Sequence, residues 1–171
     1  MLPPVSARRA CFVVCEDGAE YIERFRRFLG EAFTFVPAHD LDAALAALGT
    51  QGADAPDGLL LDLDFRRTPP ERLVDERGRA LAGASGPGQV DEGTRRRLSG
   101  AQGIHILRAL RARGVALPAV LFADLADAEQ AGFLERTLSP LVVASSSTGL
   151  RELATLLARL VGPPGRGDAA T

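Results

Sequence analysis

The chain has 171 residues, of which 46% are apolar, and its formal net charge is −2. This length and composition predict one folded domain with a real hydrophobic core, and they exclude a disordered chain. The near-neutral charge excludes a strong attraction to nucleic acid or to an anionic membrane, so we expect neither as a partner.

The first part of the chain alternates buried strands with short helices. On the first helix, apolar side chains recur at spacings of three and four, which predicts one inward face. This face holds Tyr21, Ile22, Phe25, Phe28 and Leu29. Asp40 suits the N-cap of the next helix, and Gly49 suits its end. The predicted elements are strand 11–15, helix 20–29, strand 33–36, helix 41–48 and strand 58–61.

Residues 66–102 interrupt this order and predict a long inserted loop. The segment is rich in Arg, Gly and Pro, and it carries eight arginines against five acidic residues, so it is locally basic. Val74 and Leu81 flank a polar turn and predict a small hairpin, while residues 92–98 predict a helical turn. A patch of three arginines suggests either a solvated surface or a partner-binding site; these are Arg95, Arg96 and Arg97.

Regular order returns near residue 103. The predicted elements are helix 104–113, strand 119–122, helix 127–138, strand 141–144 and helix 148–161. Five strands that alternate with five helices predict an α/β fold, in which a doubly wound parallel sheet is the middle of three layers. We expect one domain over residues 1–162 and a flexible tail over residues 163–171.

Acidic residues stand where two predicted strands end. Glu16 and Asp17 follow the first strand, and Asp62 follows the third strand. Because ligands of open α/β sheets bind at the carboxyl ends of the strands, we expect these carboxylates to share one pocket. Such a pocket suits a divalent cation or an aspartyl phosphate. The alternative interpretation is a set of solvated loop carboxylates.

In four places the chain resembles a response-regulator receiver domain. These places are the first strand with its acidic pair (12–17), the third strand with its aspartate (59–62), the Gly-led helix (103–111) and the fourth strand (118–122). The resemblance covers about residues 10–65 and 103–161. It implies a flavodoxin-like fold with strand order 2-1-3-4-5.

The resemblance also implies a metal site and a phosphorylation site. Asp62 would be the phospho-acceptor and, with Asp17, a direct ligand of Mg²⁺. Glu16 would act through water, and the backbone carbonyl of Asp64 would supply a further ligand. Hard oxygen ligands of this kind suit Mg²⁺, which keeps several waters.

The chain departs from the receiver pattern at its switch positions. Ala123 stands where a hydroxyl is expected, and the fifth strand lacks the expected aromatic residue. Ser145 or Ser146 takes the place of a lysine, and no other alignment supplies one because the chain has no lysine. A phosphoryl group on Asp62 would lack a major electrostatic partner. We therefore expect control by phosphorylation to be weakened or lost.

Three functions compete. We favour a stand-alone receiver-like signalling module, not an enzyme, that acts through protein–protein interaction in a signalling pathway. The second is a phosphorylatable single-domain response regulator that uses Asp62, and the third is a small Mg²⁺-dependent enzyme on the same fold. Because receivers often dimerise through helix four, strand five and helix five, the resemblance implies a homodimer, to which Leu156 would contribute. Cys11 and Cys15 are too far apart on one strand to bridge, and they indicate a reducing cytoplasm.

Two hypotheses describe the insertion. In the first, residues 66–102 form a lid over the acidic end of the sheet, where an arginine takes part of the missing lysine's role. That arginine would hold Asp62 ionised and block phosphoryl access. In the second, the segment is solvated and disordered. If the carboxylates converge, their repulsion should raise the pKa of at least one of them.

Overall fold

The computed structural model describes residues 8–81, 91–125 and 127–162, and within these ranges it has five strands, six α-helices and two 3-10 turns. The expected tail over 163–171 lies outside them. In chain order the elements are β1 (Ala10–Cys15), α1 (Glu20–Leu29), β2 (Phe33–Ala38), α2 (Leu41–Leu48), a 3-10 turn (Gly52–Asp54), β3 (Gly58–Asp62), a 3-10 turn (Pro70–Arg72), α3 (Glu92–Ser99), α4 (Gln102–Ala112), β4 (Ala119–Phe122), α5 (Ala128–Thr137), β5 (Leu141–Ala144) and α6 (Leu150–Val161). None of the described helices is long and apolar enough to cross a bilayer.

The strands form one parallel sheet in the order β2-β1-β3-β4-β5. Val14 lies opposite Leu60, and Leu60 lies opposite Val120, so the central strands cross the core side by side. Side chains on both faces of these strands are buried. This explains why the strands read as continuous apolar runs rather than as alternating patterns. The three-layer, flavodoxin-like architecture expected from the sequence is confirmed.

One face of the sheet packs against α1 and α6. Its core joins Phe12, Val14, Leu60, Val120 and Phe122 of the sheet to Ile22, Phe25, Leu29, Leu153 and Leu157 of the helices. The expectation that Phe28 points inward is wrong, because its side chain is 57% exposed. Leu29 fills the inward position one turn after Phe25, and Phe28 falls outside the apolar stripe under the guanidinium of Arg27. Leu156 is partly buried against this same core, so it is not a free surface contact.

The other face packs against α2, α4 and α5, and the insertion joins this layer. Phe65, Leu73, Val74 and Leu98 are buried in the same core as Leu59, Leu61 and Leu121 of the sheet. A buried Gln102 side-chain amide lies within hydrogen-bond distance of both the Val74 N–H and the Val74 carbonyl, at 3.1 and 3.2 Å. The described part of the insertion is therefore built into the core.

The insertion contains the two local structures that its sequence predicts. Val74 pairs with Ala80 in an antiparallel bridge, and the Leu81 N–H donates to the Leu73 carbonyl at 2.9 Å, which closes the hairpin. The predicted helical turn is a full helix, α3, with Asp91 as its N-cap. The described helices therefore number six, and the expectation of five was wrong. Residues 82–90, between hairpin and helix, lie outside the description.

Candidate functional site at the carboxyl end of the sheet

A cleft of about 380 Å³ opens where β1 and β3 end. It is lined by Glu16, Asp17, Glu20, Tyr21, Arg24, Asp62, Arg67 and Ser146, and we call it the acidic cleft. The carboxylates of Glu16, Asp17 and Asp62 stand at the carboxyl ends of β1 and β3. Because these parallel strands are neighbours in the sheet, the strand order brings the three carboxylates together. Four carboxylates face two guanidinium groups.

Glu16 uses its carboxylate to cap α1. Its side chain is buried, with 2% exposure, and its two oxygens accept hydrogen bonds from the Ile22 N–H at 2.7 Å and the Tyr21 N–H at 3.0 Å. These N–H groups belong to the first turn of α1, where the N-cap residue Ala19 supplies no side-chain acceptor. Exposed N–H groups at a helix start need such acceptors, and the helix dipole favours a negative charge there. Glu16 thus fixes α1 against the end of β1.

Asp17 is occupied by Arg67, which enters the cleft from the start of the insertion. The Asp17 carboxylate accepts from the Arg67 backbone N–H at 2.6 Å and lies 3.8 Å from its guanidinium. The same guanidinium donates to Glu20 at 2.6 Å. A Cβ atom on Gly18 would lie 2.0 Å from the Glu20 carboxylate and 2.8 Å from the Arg67 guanidinium, so a larger residue at this position would disturb that ion pair. The insertion therefore places a positive charge at the acidic cleft.

Asp62 is not neutralised by that charge. Burial raises its pKa to about 6, while the N–H of Leu63, which donates to its carboxylate at 2.8 Å, acts in the opposite direction. Repulsion by Asp17 raises the pKa further. The expectation of a raised carboxylate pKa is confirmed, although burial contributes more than repulsion. The expectation that an arginine holds Asp62 ionised is wrong, because Arg67 pairs with Asp17 and Glu20 instead.

A clasp of serine and aspartate joins the loops that follow β4 and β5. The Asp124 carboxylate accepts from the Ser145 hydroxyl at 2.7 Å, from the Ser146 N–H at 3.1 Å and also from the Ser146 hydroxyl. Hydrogen bonds from Ser146 and then Ser145 hold the pKa of Asp124 below its ordinary value. The two serines that stand in the lysine's place therefore bind the neighbouring loop rather than Asp62.

No protein-family model matches the chain, and no curated protein matches it. Solved structures do match it. The receiver domain of Francisella response regulator 1452 superposes with a TM-score of 0.59 at 15% identity, over 90% of this chain and 97% of that one. A response regulator receiver protein from Pseudomonas putida gives 0.59 at 18% identity, over 90% and 98%. Vibrio cholerae chemotaxis protein CheY4 gives 0.58 at 13% identity, over 89% and 98%.

The chain has the receiver-domain fold. Within this fold, Gly103, the second residue of α4, packs directly against the end of β3. A Cβ atom on Gly103 would lie 2.0 Å from the Asp62 carbonyl oxygen, so only glycine allows this approach. The Gly103 N–H donates to the Leu63 carbonyl at 3.2 Å. This close approach explains why a glycine stands in the first turn of α4.

The metal expected at the acidic end of a receiver fold does not fit these donors as they are arranged. Both oxygens of Glu16 accept helix N–H groups, and Asp17 accepts from Arg67. In residues 8–81, 91–125 and 127–162, no three His, Cys, Asp or Glu side chains are grouped to hold a metal ion. A guanidinium already supplies positive charge to the cleft, and a divalent cation would have to compete with it.

Several sequence-selected residues lie apart from the acidic cleft. Asp64, whose backbone carbonyl is the expected further ligand, is not among the residues that line the cleft, and its carboxylate pairs with Arg66 at 2.5 Å. Ala123 is buried, with 6% exposure, at the end of β4. The arginine patch lies on α3, where two of its members line a separate cavity. Its members are Arg95, Arg96 and Arg97.

The sequence pattern did not single out Glu20 and Arg24, which line the acidic cleft, nor three further residues of the site. Arg67 was counted among the basic residues of the insertion but was not singled out, although its place five residues after Asp62 was a usable signal. Asp124 is the second residue after β4 and Ser146 is the second residue after β5, and neighbouring parallel strands bring such positions together. Tyr21 was assigned to the core, but it lines the cleft and stacks on Phe122 at 5.0 Å between ring centroids. Its pKa is raised to about 12 by burial and then by Asp62.

Proposed function

We propose that this chain is a receiver-like signalling module that acts by binding partner proteins, with its control by phosphorylation of Asp62 weakened or lost. The observation that carries the proposal is the position of Arg67. Its backbone N–H binds Asp17 and its guanidinium binds Glu20, and both carboxylates line the acidic cleft together with Asp62. A receiver that already holds a cation in its cleft has less need of Mg²⁺ and leaves less room for a phosphoryl group.

The serine–aspartate clasp supports the same proposal. In a phosphorylated carboxylate the extra negative charge needs nearby cationic donors. Ser146 lines the acidic cleft, but its hydroxyl and N–H are both committed to Asp124. The clasp ties the β4–α5 loop to the β5–α6 loop through hydrogen bonds in which Asp62 takes no part. We propose that the module presents one conformation to its partner.

A phosphorylatable single-domain regulator is the second candidate, and one observation favours it. Asp62 lines the cleft and forms no ion pair with any described residue. In this candidate, Arg67 has to withdraw from Asp17 before a phosphoryl group reaches Asp62. Arg67 carries 62% side-chain exposure and enters from the insertion, so it is the group that has to move.

Beryllofluoride binding separates the two candidates. In the wild type, we expect the NMR amide signals of residues around Asp62 to show no saturable shift when beryllofluoride and millimolar Mg²⁺ are added. The variant Arg67→Ala with Ser146→Lys should gain both metal and beryllofluoride binding. It removes the guanidinium from the acidic cleft and supplies a lysine at one of the two positions where the receiver pattern has one. Arg72→Ala is the matched control, since Arg72 is equally exposed (63%) but pairs with Asp40. Stoichiometric binding by the wild type, abolished by Asp62→Asn, contradicts the proposal.

We further propose a homodimer through the face made by α5, β5 and α6, and a cytoplasmic location. Phe133 of α5 is a large apolar side chain that is 51% exposed, and we propose it as a contact in place of the partly buried Leu156. One exposed aromatic residue is a weak indication of an interface.

The proposed cytoplasmic location rests on the cysteines. The two buried cysteines are both free, which suits a reducing compartment.

A further inference from the structure

A second cavity lies on the insertion, next to the acidic cleft but separate from it. It has a volume of about 430 Å³ and is lined by Arg66, Glu92, Arg95, Arg96 and Ser99. We call it the basic cavity. It joins the start of the insertion to its helix α3, where the Phe65 N–H donates to the Ser99 carbonyl at 2.8 Å. None of its lining residues belongs to the acidic cleft.

Positive charge in the basic cavity exceeds what the surrounding acids neutralise. Arg66 pairs with Asp64 at 2.5 Å, and Arg95 lies 3.8 Å from Glu92. Arg96 forms no ion pair with any residue in the described part of the chain, and the segment 82–90 contains no acidic residue. Arg97 adds a further exposed guanidinium on the same helix. Guanidinium groups concentrated in this way favour an anionic ligand.

The frame that carries these arginines is firmly held. α3 buries Leu98 and Ser99 at 7% and 5% exposure, and Asp91 caps its start by accepting from the Thr94 N–H at 3.0 Å. Its inner side belongs to the same core as the sheet. The outer side therefore presents its arginines from a backbone that is already ordered. Preordering of this kind lowers the entropy cost of binding.

We infer that the basic cavity binds an acidic segment of a partner protein, through carboxylates of Asp or Glu. This inference rests on the proposed function, because it names the chemistry of the partner that the module would bind. Arginine forks match carboxylates in a two-point geometry. A short protein segment fits better than nucleic acid because the basic cavity is compact, whereas an extended phosphate backbone would continue past it towards the acidic cleft and be repelled there.

The test uses the full chain and a fluorescein-labelled oligoglutamate peptide, followed by fluorescence anisotropy at low salt. Wild type should bind the peptide, and Arg95→Glu with Arg96→Glu should weaken binding at least about tenfold. Arg96→Gln, a milder change that spares the fold, should fall between them. The matched control reverses two exposed arginines of α6, Arg151→Glu with Arg159→Glu, and should bind as wild type does.

Several outcomes would overturn the inference. These are the absence of peptide binding by the wild type, equal weakening in both double variants, and tighter binding of a DNA duplex than of the peptide at the same cavity. Repeating the titration with Mg²⁺ and beryllofluoride separates this inference from the proposed function. A beryllofluoride-dependent gain in peptide affinity would contradict phosphorylation-independent binding while supporting the basic cavity. A peptide affinity that changes neither with beryllofluoride nor with the charges on α3 would contradict binding at the basic cavity and leave the proposed function standing.

Discussion

Replacing Asp62 by asparagine should stabilise the protein, and only at neutral to alkaline pH. Its pKa is raised from 3.8 to about 6, chiefly by burial, which corresponds to about 3 kcal/mol of destabilisation when the group is ionised. Because the side chain is only partly buried, solvent screens this cost, and we take about 1–2 kcal/mol. Asparagine removes the charge and keeps an acceptor for the Leu63 N–H.

The sign follows from the two pKa values. The folded state binds the Asp62 proton more tightly than the unfolded state does. Proton binding by Asp62 therefore stabilises the folded state. This contribution is fully present below the unfolded pKa of 3.8 and is lost as the pH rises through about 6. Asp62→Asn should recover it at about pH 8, where the melting temperature should rise by roughly 2–8 °C. At about pH 4 the wild-type carboxyl is itself largely neutral, so the difference should nearly vanish.

Differential scanning calorimetry at the two pH values tests this reasoning. Glu31→Gln is the control, because Glu31 is an exposed carboxylate in the turn between α1 and β2. It should change the melting temperature little at either pH. An Asp62→Asn variant that is less stable than wild type at the higher pH would refute the argument. So would equal stabilisation at both pH values, which would point to packing rather than to charge.

Three further predictions concern the helix cap, the insertion and the dimer. Glu16→Ala should lose about 2–4 kcal/mol in urea unfolding because it leaves the Tyr21 and Ile22 N–H groups without an acceptor; Glu16→Gln should lose less, and identical curves for both would contradict the cap. Leu73→Ala should cost about 2–5 kcal/mol, and Leu81→Ala, at a partly buried site, should cost less; an equally mild effect would place the insertion outside the core. Phe133→Glu should dissociate the proposed dimer in analytical ultracentrifugation, whereas Phe28→Glu on α1 should not; a monomeric wild type at high micromolar concentration would remove the dimer.

The sequence was most informative where burial repeats regularly. Helices α1 and α2 and strands β4 and β5 begin and end at the residues expected, because Gly, Asp and Pro mark their ends and apolar spacing marks their faces. The insertion was harder to predict. Its order depends on a few long-range burials, such as Leu73 and Leu98 against the sheet, and no local periodicity announces them. Phe28 shows the limit of spacing alone, since two adjacent apolar positions compete for one inward place.

The convergence of the acidic residues could be predicted, but their partners could not. Strand order alone brings Glu16, Asp17 and Asp62 to one end of the sheet. Which carboxylate caps a helix and which one binds an arginine depends on side-chain length and on the path of the insertion. Glu16 reaches the N–H groups of α1 because it is one methylene longer than aspartate. Arg67 reaches Asp17 because the chain turns back immediately after β3.

The residues that flank the inserted segment are held close together by hydrogen bonds at its base. Gly103 donates to Leu63 at 3.2 Å, and Phe65 donates to Ser99 at 2.8 Å, so departure and return lie one hydrogen bond apart. Closing such a loop costs little more when residues are added, because the entropy of closure grows only with the logarithm of length. This position in the fold therefore accepts inserted segments of different length at little entropic cost. An element exchanged there could differ in length and in surface charge, and so change the surface that a partner meets, as long as it still fills the core positions of Leu73, Val74 and Leu98.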